Sequence, residues 1–350
     1  MSTLMCLSLV VALAGLEPPG GGKGSPATAL LEKGSALFKQ GDTAGALQAF
    51  EGAAKADPSD ARPHYLRGLA LEKKGDAAAA ETAYRAAISR KADFAEAHNN
   101  LGALLLGRSD ATGAAREFEA AVKARPAYAE AHFNLGQARD ALGGRADAAG
   151  AYRDAVRLKP TDGAYRLNLG VALRKQGDVD GALAALKESV RLAPKEPLGW
   201  VNLGMLQSDK KSYDDAAASL ERATKLKPEL ALGWNRLGRV ELRREKVDHA
   251  VEAQQRARKL EPKNAAFAAD LCRALIEKKD TAHAVTECRA AVALDGKNPL
   301  ARYELGKALV AKGDCAEARK EMDRFRALPE VKPEAKEHAD AIVKACKRAP

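Results

Sequence analysis

Residues 129–162 read AEAHFNLGQARDALGGRADAAGAYRDAVRLKPTD, and this stretch of 34 residues contains the pattern that decides the fold. Gly136 lies in its first half, Gly143 near its middle, and Ala148 and Pro160 in its second half. A glycine interrupts the helical pattern at the middle, and a proline cannot continue a helix. The stretch therefore predicts a helix, a turn, a second helix and a stop.

The same pattern recurs along most of the chain with a period of 34 residues and no insertion. A glycine opens the pattern in every repeat but one, and an alanine follows it twelve residues later without exception. Nine registers of one period predict a repeat architecture and not a set of separate globular domains. The two columns are Gly34, Gly68, Gly102, Gly136, Gly170, Gly204, Gly238, Cys272 and Gly306, and Ala46, Ala80, Ala114, Ala148, Ala182, Ala216, Ala250, Ala284 and Ala318.

Small residues at facing places allow two antiparallel helices to approach closely, and large side chains then fill the space between hairpins. In the first six repeats, a large side chain stands sixteen residues after the repeat glycine. We interpret these side chains as core and not as cofactor contacts. They are Phe50, Tyr84, Phe118, Tyr152, Leu186 and Leu220.

The repeat resembles the tetratricopeptide family, whose Leu-Gly, Ala, aromatic and Pro pattern is matched by Leu135-Gly136, Ala148, Tyr152 and Pro160. The resemblance implies an all-α, right-handed solenoid of nine 34-residue helical hairpins in residues 27–332. It also implies a protein that binds other proteins. The nine repeats are residues 27–60, 61–94, 95–128, 129–162, 163–196, 197–230, 231–264, 265–298 and 299–332.

Departures from the pattern gather in the later repeats. Glu245 and Lys279 take the place of the turn glycine, and Gln254 and Cys288 take the place of the large apolar residue. We expect the helices of these repeats to be packed less tightly or to be cross-linked differently. Residues 333–350 carry apolar side chains at helical spacing and are expected to form a capping helix, because the end of a solenoid must cover its last apolar face.

The first residues differ from the repeats. Residues 4–16 are apolar and uncharged, and Ala12-Leu13-Ala14 resembles a cleavage site, so we predict a signal peptide over residues 1–14 and a linker over residues 15–26. The residues before Leu4 contain no Lys or Arg, which leaves a misassigned start or a loose apolar tail as the alternative. Export would place the protein in the periplasm or outside the cell of a bacterium, and the alternative location is the cytoplasm. No apolar run is long enough to span a membrane in the mature form.

The repeats take up nearly all of the chain, which leaves no room for a separate catalytic domain. We therefore expect no catalytic residue, no metal and no cofactor. His64, His98 and His132 recur at one place of three successive repeats, but neighbouring hairpins stand ~8–10 Å apart. Two ligands of one zinc ion lie within about 4 Å of each other. Later repeats carry Trp at this place, so we interpret the column as a packing position of aromatic size.

A second column, two residues before the repeat glycine, consists of asparagines. The resemblance implies that this place lines the concave groove of the solenoid, where an amide can both donate to and accept from the backbone of an extended ligand. The column is similar to the asparagine ladder of the O-linked N-acetylglucosamine transferase. Asparagine is also common at this place in family members of every function, so the ladder remains a hypothesis. Its members are Asn100, Asn134, Asn168 and Asn202.

The net charge of +10 is uneven, and residues 231–264 carry nine Lys or Arg against five Asp or Glu. Arg236, Arg239 and Arg243 share one face of a first helix, and Arg273 and Lys307 repeat the place of Arg239 in the next two repeats. This predicts a basic stripe on the groove side, unless the face is simply solvated. Nucleic acid is not the expected partner, because the chain also holds 47 acidic residues and its aromatic residues are not interleaved with the arginines.

Removal of the signal peptide would leave Cys272, Cys288, Cys315 and Cys346. Cys272 and Cys288 occupy the middles of two antiparallel helices, and Cys315 and Cys346 fall at one level of the last hairpin and the cap. The spacing therefore favours the pairs 272–288 and 315–346. Four buried thiols are the alternative, and an intracellular location would favour it.

Together these patterns predict a non-catalytic scaffold whose concave groove binds an extended or acidic segment of a protein partner, within a bacterial envelope assembly. An intracellular adaptor, a regulatory subunit of an enzyme complex and a nucleic-acid-binding array are the alternatives.

Overall fold

The computed structural model describes residues 25–346, and within that range the chain forms nineteen α-helices and no strand. The predicted signal peptide and most of the linker lie outside the described residues. The helices are α1 (Pro26–Gln40), α2 (Thr43–Ala56), α3 (Arg62–Lys74), α4 (Ala77–Arg90), α5 (Ala95–Gly107), α6 (Ala111–Ala124), α7 (Ala129–Ala141), α8 (Arg145–Leu158), α9 (Gly163–Gln176), α10 (Val179–Leu192), α11 (Pro197–Asp209), α12 (Tyr213–Leu226), α13 (Ala231–Arg243), α14 (Val247–Leu260), α15 (Ala265–Glu277), α16 (Thr281–Leu294), α17 (Pro299–Lys312), α18 (Cys315–Arg326) and α19 (Pro333–Cys346).

The chain divides after Gly177 into two compact units. The first unit contains four hairpins and the first helix of the fifth, which are α1 to α9. The second unit contains α10, four further hairpins and α19. The predicted all-α fold of nine helical hairpins followed by a final helix is confirmed.

The turns within the hairpins share one backbone conformation. In all nine hairpins a residue one or two positions after the end of the first helix adopts a positive φ, from +61° to +93°, which is the conformation that glycine adopts without strain. Five of these residues are glycines, and the other four are Ser109, Lys211, Glu245 and Lys279. In six hairpins an aspartate then caps the second helix by accepting from a backbone N–H three residues on, as Asp42 does from Gly45 at 2.8 Å. In these six hairpins, the turn and the cap together fix where the second helix begins.

The closest contact within a hairpin joins the repeat glycine to the large side chain sixteen residues later. A Cβ atom added at Gly68 would lie 2.4 Å from Tyr84 Cε1, and one added at Gly102 would lie 2.7 Å from Phe118 Cε1. Any larger residue would therefore push the two helices apart. Both rings are fully buried, so this contact is the centre of the hairpin core.

The second unit fills the same two places differently. Gly238 faces the buried amide of Gln254, and Gly306 faces Met322. In the eighth hairpin the two places are Cys272 and Cys288, and a disulfide joins them. Of the two expected departures, a different cross-link is observed in the eighth hairpin, whereas the side chains at this contact in the seventh and ninth hairpins are fully buried.

Candidate functional site

The asparagine column lies on the first helices, half-buried, with its amides already engaged. In the first unit, Asn100 Nδ2 donates to Tyr65 Oη at 3.4 Å and Asn134 Nδ2 donates to Asn99 Oδ1 at 2.9 Å. Asn168 Nδ2 donates to the carbonyl of Ala164, four residues earlier in its own helix, at 2.9 Å.

In the second unit, Asn202 makes the equivalent bond to Leu198 at 2.8 Å. An amide nitrogen carries two hydrogens and the oxygen accepts, so Asn168 and Asn202 keep hydrogen-bonding capacity beyond these bonds.

The column becomes charged in the last three hairpins. The place two residues before the repeat glycine holds Arg236, Asp270 and Glu304, and the two acidic side chains are 4% and 1% exposed. Asp270 Oδ2 accepts from Asn235 Nδ2 at 2.8 Å, which links α13 to α15. Asn235 also donates to Gln254 Oε1 at 3.0 Å, so the polar residue that replaces the usual apolar one belongs to this buried network.

Four of the five predicted stripe residues surround one depression of the second unit, with a volume of about 680 Å³. Arg239 and Arg243 come from α13, Arg273 from α15 and Lys307 from α17. Arg239 and Arg243 are exposed and, within residues 25–346, take part in no ion pair with a carboxylate. We call these four residues the cationic column. Arg236 does not line the depression and is half-buried.

A buried carboxylate holds the other two members of the cationic column. Arg273 Nε donates to Glu304 Oε1 at 2.8 Å, and Lys307 Nζ lies 3.2 Å from Glu304 Oε2. Burial opposes the charge of Arg273, but the hydrogen bond and the charge of Glu304 outweigh it and raise the pKa of the guanidinium. Arg273 therefore stays charged, and its two terminal nitrogens remain for a ligand.

The sequence did not indicate how acidic and aromatic residues share this depression. Tyr213 and Tyr303 line it together with the exposed acids Glu245 and Glu277, and the carboxylate of Glu304 lies beneath the cations. One signal was present, because Glu304 occupies the asparagine place of the ninth repeat and stands three residues before Lys307. A charge at the place of a polar column is the kind of local departure that is expected at functional or strained sites.

The histidine column proves to be a hydrogen-bonding position. Each donor at this place reaches the backbone carbonyl six residues earlier, and the donor is not always aromatic, since Arg166 and Arg302 make the same bond. The interpretation as a position of aromatic size was therefore incomplete, because an N–H donor is the shared property. The other four bonds run from His98 to Ala92, His132 to Pro126, Trp200 to Pro194 and Trp234 to Pro228.

His64 differs from the rest of the column. The carbonyl of Pro58 that it would reach accepts instead from Arg90 Nε at 2.9 Å, and His64 Nε2 is buried without a partner. Burial, and then the charges of Arg90 and Arg67, lower the pKa of His64. Across residues 25–346, no group of three or more His, Cys, Asp or Glu side chains is placed to hold a metal ion.

The four cysteines are brought together as the two pairs that their spacing favoured. Cys272 on α15 and Cys288 on α16 are joined, with Cα atoms 5.3 Å apart. Cys315 at the start of α18 and Cys346 at the end of α19 are joined, with Cα atoms 5.7 Å apart. The first bond lies inside a hairpin core, and the second ties the final helix to the last hairpin.

Among the helices that the structure describes, none has both the length and the apolar character that crossing a bilayer requires.

The sequence matches the family model described as tetratricopeptide repeat along most of its length. The matched residues are 31–96, 65–129, 99–143, 133–197, 201–265, 235–299 and 269–332. No curated protein matches the chain.

Solved structures share the fold at low sequence identity. One chain of the APC/C heterotetramer Cut9–Hcn1 is 21% identical with a TM-score of 0.57, and the match covers 80% of this chain and 55% of that one. This chain thus spans little more than half the length of that relative. PilW, a type IV pilus biogenesis factor, is 16% identical with a TM-score of 0.53, covering 57% of this chain and 92% of its own. The pilF protein of Pseudomonas aeruginosa is 20% identical with a TM-score of 0.51, covering 58% and 92%.

Proposed function

We propose that this chain, which belongs to the tetratricopeptide repeat family, is a non-catalytic scaffold whose first-helix face binds an extended, acidic segment of a protein partner. Repeat proteins of this family are generally interaction scaffolds, and their stacked hairpins present long surfaces for extended ligands. The observation that carries the proposal is the depression where Arg239, Arg243, Arg273 and Lys307 converge from three successive hairpins.

The charge arrangement supports an acidic ligand. Arg239 and Arg243 are exposed, and Glu304, which is buried, offsets only one of the two positive charges of Arg273 and Lys307. An arginine fork binds a carboxylate through two parallel hydrogen bonds. Asn202, on a first helix of the same unit, would add a backbone contact outside the depression.

A labelled nine-residue peptide of glutamate and alanine tests the acidic preference, with the glutamine analogue as its control. Fluorescence anisotropy should show binding of the acidic peptide only, weakening as salt rises, because the screening length falls to ~8 Å at physiological ionic strength. Arg239→Glu should abolish the signal, whereas Arg256→Glu should not, since Arg256 is an exposed residue of α14 that does not line the depression. Equal binding of the two peptides would overturn the proposal.

The asparagine column is tested separately with the variant in which Asn100, Asn134, Asn168 and Asn202 are all alanine. We expect unchanged helicity by circular dichroism and weaker binding of a peptide long enough to reach beyond the depression. Unchanged affinity would mean that the column only serves the packing of the hairpins, as the bonds of Asn100 and Asn134 to Tyr65 and Asn99 already do.

We further propose that the protein works outside the cytoplasm, after removal of residues 1–14, in a bacterial envelope assembly. The two disulfides support this location, because disulfides persist in oxidising compartments and are rare in the cytosol. N-terminal sequencing of the protein from an osmotic-shock fraction should give a start near Gly15. Recovery of an intact Met1 from the cytosolic fraction alone would instead support the intracellular adaptor.

Partners other than protein are tested by the same assay. A nucleic acid carries a phosphate at every residue, so some phosphates would have to lie beside Glu245 and Glu277 of the depression, and we expect no binding of a single-stranded oligonucleotide at moderate salt. Binding that survives 200 mM salt would favour the nucleic-acid-binding array.

A further inference from the structure

We propose that the cationic column selects a segment that carries an acidic side chain at every third residue and binds in the polyproline II conformation. The inference rests on the proposed function, since it names the sequence pattern that the acidic ligand must have. It follows from the spacing of the cations, the way they are held and the other residues that line the depression.

The spacing comes from the hairpin repeat. Arg239, Arg273 and Lys307 stand at one place of three successive first helices, 34 residues apart. Two short side-chain bonds, from Asn235 to Asp270 and from Arg273 to Glu304, both 2.8 Å, hold these helices in direct contact. Helices in contact stand ~8–10 Å apart, so the places on the three helices from which these cations extend follow one another at that interval.

Only one common extended conformation presents side chains on one side at this interval. A polyproline II helix has three residues per turn and rises ~3.1 Å per residue, so residues i, i+3 and i+6 share a side at steps of ~9.3 Å. In a β-strand, residues three apart point to opposite sides, and same-side residues recur at ~6.6 Å. Acidic residues at every third position of a polyproline II segment therefore meet the three cations in register.

Two of the cations, Arg273 and Lys307, are held in position for such a ligand. Glu304 occupies Arg273 Nε and pairs with Lys307, yet it is only 1% exposed, so it orients both cations without facing the ligand. The two terminal nitrogens of Arg273 can then bind one carboxylate bidentately.

Four other lining residues favour a ligand in this register over one with clustered acidic residues. Glu245 and Glu277 are exposed at the same depression, so acidic side chains clustered out of register would approach like charges. Tyr213 and Tyr303 also line it, and aromatic side chains are the surfaces on which proline-rich polyproline II segments pack. Tyr303 is supported from behind by Phe325, with ring centroids 5.3 Å apart.

Three isomeric peptides of identical composition and charge test the inference on the full chain. EPAEPAEPA places glutamate at every third residue, EEEPAPAPA clusters the glutamates, and EAEAEPAPP places them at every second residue. Fluorescence anisotropy at 50 mM salt should show that the first peptide binds about tenfold more tightly than either isomer, because only it meets all the cations at once.

The variants separate register from general attraction. Arg239→Gln and Arg273→Gln should each remove most of the preference for EPAEPAEPA, while Arg256→Gln should leave it intact. Arg239 is exposed and outside the buried network, so its variant remains informative if loss of Arg273 perturbs the fold.

Each other outcome overturns the inference. Equal affinity for the three isomers would refute the register but leave acidic binding standing, and tighter binding of EAEAEPAPP would indicate a β-strand ligand. If none of the three peptides binds with a dissociation constant below 1 mM, the proposed function fails as well.

Discussion

The first unit places an aromatic ring against the repeat glycine in each of its four complete hairpins, whereas the second unit uses leucine, glutamine, a disulfide and methionine at the corresponding contact. The rings are Phe50, Tyr84, Phe118 and Tyr152, and the later residues are Leu220, Gln254, Cys288 and Met322. All eight side chains are buried to 97% or more, so both units fill the space. They differ in the kind of interaction that holds the hairpin together.

The turns differ in the same direction. In the first unit four of the five residues with positive φ at hairpin turns are glycines, and only Ser109 is not. In the second unit Gly313 is the one glycine, beside Lys211, Glu245 and Lys279. A side chain in this conformation costs about 1–2 kcal/mol. The second unit thus combines strained turns with covalent and polar contacts, and it is also the unit that carries the cationic column.

The largest expected effect comes from removing a ring in the first unit. Phe118→Ala leaves a cavity opposite Gly102 and should lower the free energy of local unfolding by about 3–5 kcal/mol. Hydrogen exchange of amides in α5 and α6 measures it, since a repeat array need not unfold in one step. Phe118→Leu imports the residue type of Leu220 and should cost ~1 kcal/mol. If the two variants are equally stable, the ring is not what holds the hairpin.

In the second unit, the disulfide between Cys272 and Cys288 stands where the glycine and the aromatic ring meet in the first unit. Reduction should lower the free energy of local unfolding of the eighth hairpin by about 3 kcal/mol, in the chain-entropy model for a loop of this length. Hydrogen exchange of α15 and α16 with and without reductant gives the value, and amides in the first unit serve as the control. The double variant Cys272→Gly with Cys288→Phe restores the contact of the first unit and should make this hairpin insensitive to reductant.

Thiol counting on the non-reduced protein decides whether these bonds exist in the cell. We expect no free thiol if the leader has been removed, and one, Cys6, if it has been retained. Peptide mapping should link 272 with 288 and 315 with 346. Four additional free thiols would contradict both the pairing and the proposed location.

Glycine substitutions at the turns of the second unit should reduce the difference in turn strain between the two units. Lys279→Gly relieves a φ of +65° and Glu245→Gly one of +61°. Each should raise stability by about 0.5–1 kcal/mol, because the greater freedom of glycine in the unfolded chain offsets part of the relieved strain. Gly41→Lys is the reverse change, at a φ of +91° with no atom within 4 Å to clash, and should cost a similar amount. Thermal melting of the single and combined variants measures these gains, and no gain would show that the turns are unstrained.

The period made the fold readable from the sequence, because the Gly, Ala and aromatic columns are local patterns repeated in every hairpin. The same regularity predicted the cysteine pairs and the face that bears Arg239 and Arg273. It did not predict that Glu304 is buried, since a glutamate is normally exposed and its burial depends on Arg273 from a neighbouring helix. Nor did it indicate that Arg166 makes the hydrogen bond that histidines make at the same place. The residues of this column share a bond to a backbone carbonyl and not a side-chain size.

The smallest expected effect is on the pH dependence of stability. It depends on the place that holds titratable histidines, such as His98, in the first unit and the tryptophans Trp200 and Trp234 in the second. His98 Nδ1 lies 2.7 Å from Glu117 Oε2, and this hydrogen bond, opposed by burial, raises the pKa of His98. A raised pKa contributes stability that is fully present below the ordinary value of ~6.5 and is lost as pH rises through the raised pKa. The pKa of His64 is lowered, so its contribution has the opposite sign and is lost as pH falls.

His98→Trp should therefore remove the loss of stability on the alkaline side and leave the loss on the acidic side. The introduced indole can keep the bond to the carbonyl of Ala92, as Trp200 does to Pro194 at 3.0 Å. Because the pair with Glu117 is partly open to solvent, the change should be only ~0.5 kcal/mol. Hydrogen exchange of α5 between pH 5.5 and 8.5 measures it. Trp234→His is the matched control, since Ala253 stands where Glu117 would be and cannot raise the pKa of a histidine. An alkaline loss in that variant would show that the carboxylate is not its cause.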